Sequence, residues 1–341
     1  MKAEETSYFA TVLLDWFASN GRDLPWRHTK DPYAVWLSEV ILQQTRIQQG
    51  SVYWLRFMER WPDVASLAAA TEDDVLRMWQ GLGYYSRARH LHAAARQIVG
   101  LGGFPETYEE IRKLKGVGDY TAAAIASIAF DLPVAVVDGN VYRVLSRCFG
   151  IDTPINSTEG KHLFAELAQS LLPVRQASAF NQAMMDFGAI QCVPQSPACM
   201  ECPVAETCEA LRTGRVGQLP VKLRKLTVKT RRLSYIYIRC NSEVAIHQRP
   251  AGDIWQGLWE PLVYEDEALP QFPGRLTLLQ THVKHVLTHR ILLADFYLLE
   301  TDVKPLLPDD YRWIPEPDLQ QYALPRLVEK LCEAVAERGS V

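Results

Sequence analysis

Four cysteines share one short segment near the middle of the chain: Cys192, Cys199, Cys202 and Cys208. Their spacing is C-x6-C-x2-C-x5-C, and prolines between them prevent the segment from running as a helix. The four thiolates can therefore converge on one inorganic centre, and the spacing favours an iron-sulfur cluster. A four-cysteine zinc site, which usually has two tight C-x2-C pairs, and free or disulfide-bonded cysteines are the alternatives.

Glu39 is a candidate general acid. It lies in a segment with helical periodicity, where its neighbours three and four positions away include Val35, Trp36 and Leu42 but no lysine or arginine. A glutamate on such a face loses solvent, and desolvation raises its pKa, as a general acid requires. The simpler alternative is a glutamate on the surface of a helix.

Asp138 is a candidate partner carboxylate. An apolar stretch leads into Asp138-Gly139-Asn140, a turn that opens another predicted helix. The aspartate is a good N-cap there, and the same position favours its ionised form because backbone N–H groups and the helix dipole face it. One protonated and one ionised carboxyl group are what enzymes use to break glycosidic bonds through an oxocarbenium-like state.

The segment Leu114 to Gly118 joins two predicted helices. Gly116 and Gly118 permit a tight hairpin whose N–H groups can face a phosphate, and Lys115 is well placed for a phosphate contact. This looks like a helix-hairpin-helix motif. An ordinary connection between two helices is the alternative, because two glycines alone are a weak pattern.

The elements that must hold these residues differ between the two halves of the chain. Residues 1–211 are helical in periodicity almost throughout, and this predicts an all-α domain. Residues 212–232 contain eight Lys or Arg and no Asp or Glu, which indicates a basic linker, either solvated or lying along phosphates. Residues 233–341 show strand-like runs at 233–240, 243–247, 276–282 and 291–300 and a closing helix, which predicts an α+β domain.

The composition of the chain indicates the class of protein and the cellular compartment. The 341 residues, 48% of them hydrophobic, suffice for two cored domains. The N-terminal residues resemble no cleaved leader, and no apolar run is long enough to cross a membrane. Because a thiolate cluster needs a reducing compartment, we expect a bacterial-type cytoplasm and association with the nucleoid, which leaves a nuclear or mitochondrial location open.

Taken in order, the hairpin, the Val137-Asp138-Gly139-Asn140 turn and the cysteine loop resemble the endonuclease III superfamily of DNA base-excision glycosylases. Within it, the segments Leu37–Thr45 and Gly81–Tyr85 look like the adenine DNA glycosylase, or MutY, branch. The resemblance covers nearly the whole chain. It implies one [4Fe-4S] cluster per chain on the four cysteines.

The resemblance also implies roles in catalysis. Glu39 would protonate the departing adenine and then help to activate water, and Asp138 would stabilise or capture the sugar cation. Tyr120 and Asn140 match residues that support these carboxyl groups. Relatives that also nick DNA carry a lysine at the position of Tyr120, so the resemblance implies a monofunctional enzyme.

Two further residues match DNA contacts of the family. Gln44 and Tyr84 correspond to residues wedged into the base stack when the adenine is flipped out. A glutamine and an aromatic residue in helical segments are more often plain packing residues, and this is the alternative for both.

The segment Asp253 to Glu260 looks like the W-x-G-L-W-E pattern of a Nudix-like domain that recognises 8-oxoguanine opposite the adenine. No array of clustered glutamates follows, so we expect binding without metal-dependent hydrolysis. Leu287-Thr288-His289 replaces the family's usual Phe-Ser-His, which preserves the hydroxyl and imidazole at Thr288 and His289. The alternative is that Thr288 is a turn residue and His289 a structural residue.

These observations together predict a monomeric enzyme that excises adenine mispaired with 8-oxoguanine or guanine in double-stranded DNA. The alternative enzyme is an endonuclease III-like pyrimidine glycosylase and lyase, which Tyr120 and the second domain disfavour. A DNA-binding iron-sulfur module without enzymatic activity is the alternative from a different class.

Overall fold

The computed structural model describes residues 3–223 and 228–339. The chain divides into two compact units, one formed by Met1–Ala69 with Ala93–Arg224 and the other by Ala70–His92 with Lys225–Val341. This division is discontinuous, whereas the sequence suggested boundaries near 211 and 233. Residues 224–227 of the predicted basic linker lie outside the described residues. Within the described ranges, no helix is both long and apolar enough to cross a membrane.

The first unit is helical, as predicted. Its helices include α1 Ala3–Asn20, α2 Pro32–Leu42, α3 Ile47–Arg60, α4 Val64–Ala69, α6 Ser86–Gly100, α7 Tyr108–Ile111, α8 Asp119–Phe130, α9 Gly139–Cys148, α10 Thr158–Leu171, α11 Ala177–Asp186 and α12 Glu209–Arg212. Helix α6 begins in the second unit, at Ser86, and continues into the first. Helix α5, Glu72–Met78, belongs to the second unit. A π-helical turn, Phe187–Gln191, follows α11.

Helix α2 begins at an Asp-Pro pair. The Asp31 side chain accepts a hydrogen bond from the Tyr33 backbone N–H, and Pro32 occupies the first turn, where no N–H is needed. Every residue from Tyr33 to Ile41 is buried. A helix buried on all sides leaves its polar side chains, Glu39 among them, without solvent.

The core of the first unit places α9 among its neighbours. Val141, Val144 and Leu145 of α9 pack with Phe9 and Leu13 of α1 in one buried cluster. This packing fixes both ends of α9. Its N-terminus carries Asp138 and its C-terminus faces the cysteine loop.

The second unit contains a seven-stranded mixed sheet. The strands are β1 Lys229–Cys240, β2 Glu243–Gln248, β3 Trp259–Glu260, β4 Leu262–Glu265, β5 Arg275–Val286, β6 Arg290–Thr301 and β7 Tyr311–Pro315. Their order is β3-β2-β1-β6-β5, with β4 paired to β1 and β7 to β2, and only β1 and β6 are parallel. All four strand-like runs of the sequence are confirmed as strands.

Helix α13, Arg326–Gly339, and the helical segment 70–92 complete the second unit. Leu327, Val328 and Leu331 of α13 pack against core residues from one face of the sheet. Gly257 has a φ of +80°, and a Cβ there would lie 3.3 Å from the Leu76 side chain of α5. The glycine of the predicted W-x-G-L-W-E pattern therefore serves both a left-handed turn and the close approach of α5.

Candidate active site

Glu39 is buried, as predicted, with 8% of its surface exposed. The Tyr120 hydroxyl, from the first turn of α8, donates a hydrogen bond to Glu39 Oε2 at 2.6 Å. Burial raises the pKa of Glu39 to about 7, with a smaller contribution from the charge of Asp138, although the Tyr120 hydrogen bond and the charge of Arg27 act in the opposite direction. A substantial fraction of Glu39 is therefore protonated at neutral pH and can act as an acid.

Asp138 caps the N-terminus of α9, as predicted. It accepts hydrogen bonds from the backbone N–H groups of Asn140 at 2.8 Å and Val141 at 2.7 Å, and from Asn140 Nδ2 at 2.8 Å. Burial nevertheless raises the pKa of Asp138 above its usual value, against the effect of these hydrogen bonds. The helix N-terminus therefore offsets only part of the cost of burying the charge, which is less stabilisation of the anion than the sequence suggested.

Asn140 is held in place by two groups that the sequence analysis missed. Arg143 Nη2 donates to Asn140 Oδ1 at 2.9 Å and to the Gly188 carbonyl at 2.6 Å, and its Nε donates to the Cys192 carbonyl at 2.7 Å. A Cβ on Gly188 would lie 2.6 Å from Asn140 Cβ, so only glycine fits. Because Arg143 lies one turn after Asn140 on α9, helical spacing could have indicated the contact.

Another buried carboxyl group in this unit, that of Asp186, has a lowered pKa, whereas the pKa of Glu39 is raised. Asp186 is fully buried and accepts hydrogen bonds from Arg22 Nε at 3.0 Å and Arg27 Nη1 at 2.8 Å. These arginines lower the pKa of Asp186 despite its burial. This network was not predicted from the sequence, although a single aspartate in an apolar helix is a signal of the same kind as Glu39.

The predicted hairpin joins α7 to α8. Gly116 adopts a φ of +76°, and Gly118 is the N-cap residue of α8. The backbone N–H of Lys115 donates to the Gln97 side chain at 2.7 Å, so this N–H is used within the unit and only the Lys115 side chain is offered to a phosphate. Gln44 is exposed and has a φ of +57° in the turn after α2, so the prediction that it lies in a helical segment is wrong.

The four cysteines of the predicted cluster line one cavity. Cys192, Cys199, Cys202 and Cys208 form no disulfide and are half-buried, and Arg147 and Cys148 of α9 line the same cavity. In the described part of the chain, no three or more His, Cys, Asp or Glu side chains are grouped closely enough for a single metal ion. A tetranuclear cluster separates its ligand sulfurs more widely than one ion does, so this donor set fits an iron-sulfur cluster.

In the second unit, the loop that joins β5 to β6 carries the predicted lesion-reading residues. Thr288 and His289 are exposed, whereas Leu287 packs against the unit's core. The hydroxyl groups of Tyr84 and Thr288 lie 2.5 Å apart, and Tyr84 is 48% exposed with a φ of +48°. Tyr84, Trp255, Thr288 and His289 line one cavity. This unit therefore brings Tyr84, Thr288 and His289 together.

Three family models match parts of the chain. Residues 37–170 match the HhH-GPD superfamily of base excision DNA repair proteins, residues 192–208 match the iron-sulfur binding domain of endonuclease III, and residues 234–334 match a NUDIX domain. These matches confirm the predicted helix-hairpin-helix and Nudix-like domains. They also decide for a [4Fe-4S] cluster over zinc at the four cysteines.

Curated relatives include proteins named adenine DNA glycosylase. The one from Buchnera aphidicola subsp. Acyrthosiphon pisum is 30% identical over 95% of this chain and 97% of its own length. The one from Mus musculus is 45% identical over 63% of this chain. The match covers 44% of the mouse protein, so the chain spans less than half of that relative's length.

Solved structures resemble the helical part of the chain. A thermostable thymine-DNA glycosylase is 30% identical, with a TM-score of 0.58 over 62% of this chain and 98% of its own. A trapped endonuclease III–DNA covalent intermediate is 21% identical, with a TM-score of 0.55 over 63% of this chain and 99% of its own. The second likeness supports the fold alone.

Proposed function

This chain belongs to the adenine DNA glycosylase family, and from that premise we propose that it hydrolyses the N-glycosidic bond of adenine mispaired with 8-oxoguanine or guanine in double-stranded DNA. The observation that carries the proposal is the pair of unlike carboxyl groups. Glu39 is hydrogen-bonded by Tyr120 and has a pKa of about 7, and Asp138 is hydrogen-bonded by the N-terminus of α9. This division of roles suits cleavage of a glycosidic bond.

In the proposed reaction, Glu39 transfers its proton to a ring nitrogen of the adenine as the bond from the base to C1′ of the sugar breaks. The electron pair of that bond leaves with the base, and positive charge develops on the sugar. The Asp138 carboxylate stabilises this charge in a site that excludes most water. A water molecule then adds its hydroxyl to C1′ and returns a proton to Glu39, which leaves an abasic site.

The target base must leave the duplex to reach these groups. Gln44 and Tyr84 are both exposed and both have left-handed backbone conformations, which hold their side chains away from the regular helices. We assign to each a contact with the base stack that stabilises the duplex once the adenine has been flipped out. Lys115, Gly116 and Gly118 would contact the phosphates.

The cluster has a structural role in this proposal. A [4Fe-4S] cluster would be held by Cys192, Cys199, Cys202 and Cys208, and it would fix the loop from 192 to 208 against α9. Because thiolate ligands persist in a reducing compartment, we place the protein in a bacterial-type cytoplasm, where it would act on nucleoid DNA. We also propose that it acts as a monomer.

Base release from three duplexes tests the proposal. Duplexes containing A:8-oxoguanine, A:G or thymine glycol are incubated with the full chain, and released base is separated from DNA. We expect adenine from the first two and no release from the third. Release from thymine glycol alone would identify a pyrimidine glycosylase, and binding of all three duplexes without release would identify a DNA-binding module.

Borohydride trapping tests the monofunctional mechanism. Because Tyr120 replaces the lysine that would form a Schiff base, we expect abasic product without covalent enzyme–DNA adduct. A Tyr120→Lys variant is the positive control, since it places an amine in the catalytic site. Trapping of the unmodified chain at the level of a lyase would refute this assignment.

Tyr120→Phe should change the pH dependence of adenine release. Protonated Glu39 is the active form, so activity is present below its pKa of about 7 and is lost as the pH rises through that value. The Tyr120 hydrogen bond lowers this pKa, so its removal should move the alkaline limb of the single-turnover profile to higher pH. An alkaline limb at unchanged or lower pH in the variant would separate the limb from Glu39.

Replacing Thr288 and His289 together with alanine should weaken lesion recognition. Adenine is a normal base, so the lesion is recognised on the opposite strand, where 8-oxoguanine differs from guanine by an N7 donor and an O8 acceptor. The exposed hydroxyl and imidazole can reach such atoms. We expect the preference for A:8-oxoguanine over A:G to fall by roughly 1 to 3 kcal/mol, measured as an affinity ratio at one fixed salt concentration, with a much smaller effect on single-turnover excision.

Thr281 and His282, adjacent and exposed in the middle of β5, provide a matched control. Their double alanine variant removes the same side chains from the same unit and should keep the preference for 8-oxoguanine. Equal losses in both double variants would mean that the loop at 287–289 has no special part in recognition.

A further inference from the structure

The C-terminal end of α9 places a buried guanidinium group at the cavity that the four cysteines line. Arg147 is 2% exposed, and its Nη1 lies 3.4 Å from the sulfur of Cys192, to which it donates a hydrogen bond. The same side chain donates to the carbonyls of Val193 at 2.8 Å, Pro194 at 2.9 Å and Leu219 at 3.1 Å. These contacts fix the orientation of the guanidinium, so it is held in position to donate a hydrogen bond to the Cys192 sulfur.

The next residue, Cys148, lies at the same cavity as a different ligand sulfur, that of Cys208. Cys148 is 8% exposed, lies outside the C-x6-C-x2-C-x5-C pattern and lines the same cavity as the four ligand cysteines. Its side chain and that of Cys208 share this cavity, and the Cys148 thiol lowers the pKa of Cys208. The Cys208 sulfur lies 3.7 Å from the Arg147 carbonyl oxygen, so it sits directly at the C-terminal end of α9.

We propose that Arg147 and Cys148 are hydrogen-bond donors to the ligand sulfurs of the bound cluster, which they stabilise in its more negative charge state and help to retain. A donor to a thiolate ligand lowers the energy of added negative charge, and a buried positive charge does so further. Hydrogen bonds to the sulfurs are among the features that set cluster reduction potentials. Both donors should therefore raise the one-electron reduction potential. The exchanged electron comes from the electrode in the measurement, and no bond to the protein forms or breaks.

A Cys148 that were only a buried apolar residue would differ from this proposal in a measurable way. Cys148→Ala removes the donor, whereas Cys148→Ser keeps a donor of similar size. Cys240→Ala is the matched control, because Cys240 is also a buried cysteine but lies on β1 in the other unit. Each variant is prepared as the full chain under anaerobic conditions, and iron, sulfide and reduction potential are measured, the last by protein film voltammetry.

We expect Cys148→Ala to show a more negative potential than the unmodified chain and Cys240→Ala, with Cys148→Ser closer to the unmodified chain. At a fixed potential, the ratio of oxidised to reduced cluster should rise about tenfold, which is about 59 mV for a one-electron couple. Arg147→Lys keeps the charge without the planar fork and should shift the potential in the same direction.

Loss of iron from Cys148→Ala, while Cys148→Ser and Cys240→Ala retain it, would also support the contact, because the donor then holds the ligand in place. Full iron content with the potential of Cys240→Ala would overturn the proposal. So would equal loss of iron from both alanine variants, since a buried-cavity effect would then explain it. The measurement does not depend on which base the enzyme removes.

Discussion

Replacing Glu39 with glutamine should abolish release of adenine while leaving affinity for mispaired DNA nearly unchanged. Glutamine has the same shape and can still accept the Tyr120 hydrogen bond, but its amide cannot transfer a proton to the departing base. General acid catalysis contributes roughly 10² to 10⁴ in rate, and Glu39 is also the proposed acceptor of the proton from water. We expect single-turnover excision from A:8-oxoguanine to fall by at least about 10³-fold at neutral pH.

The control for this variant is Glu166→Gln, because Glu166 is exposed on α10 and undergoes the same chemical change. Its excision rate should match that of the unmodified chain. DNA affinity is measured alongside, so that a folding defect in Glu39→Gln would be detected as lost binding. A near-normal excision rate in Glu39→Gln would remove Glu39 from the mechanism.

Replacing Asp138 with asparagine should lower excision by several orders of magnitude without a matching loss of stability. Asparagine caps a helix about as well as aspartate does, so α9 should keep its N-cap. The change removes the negative charge that opposes the developing sugar cation in a largely dry site. Loss of one such electrostatic contact typically costs about 10² to 10³ in rate, and we expect the upper end or more here because a full charge is lost.

Asp31→Asn isolates the contribution of capping. Asp31 is the N-cap of α2 and, like Asp138, accepts a backbone N–H with its side chain. We expect both variants to have melting temperatures close to that of the unmodified chain, and only Asp138→Asn to lose excision. If Asp138→Asn retained most of its single-turnover rate, stabilisation of the cation would have to come from another group.

The parts of the candidate site that involve only residues close together in the sequence could be predicted well. The four cysteines lie within one loop, so their spacing predicted their convergence. The Asp138 cap involves only Asn140 and Val141, and the Thr71 and Thr107 caps accept N–H groups three residues later. Such contacts follow from helix geometry over a few residues and depend little on the rest of the chain.

Burial of Glu39 was partly predictable, because its neighbours on α2 are apolar and carry no opposite charge. The pKa of about 7 was not, since it also depends on Tyr120 from another helix and on the charges of Asp138 and Arg27. The direction of the Asp138 pKa shift likewise reflects burial, which the capping residues alone do not reveal. The sequence indicates where a helix ends, but it does not indicate how much solvent surrounds that end.

The sequence by itself determined the metal-binding loop, the two candidate carboxyl groups, most helices and strands and the order of the two kinds of domain. Only the tertiary structure decided that Asp186 pairs with Arg22 across 164 positions, that residues 70–92 belong with the sheet and that Arg147 and Cys148 line the cavity of the four ligand cysteines. The physical reason is that periodicity and capping are local, whereas desolvation and long-range pairing depend on which surfaces the folded chain brings together.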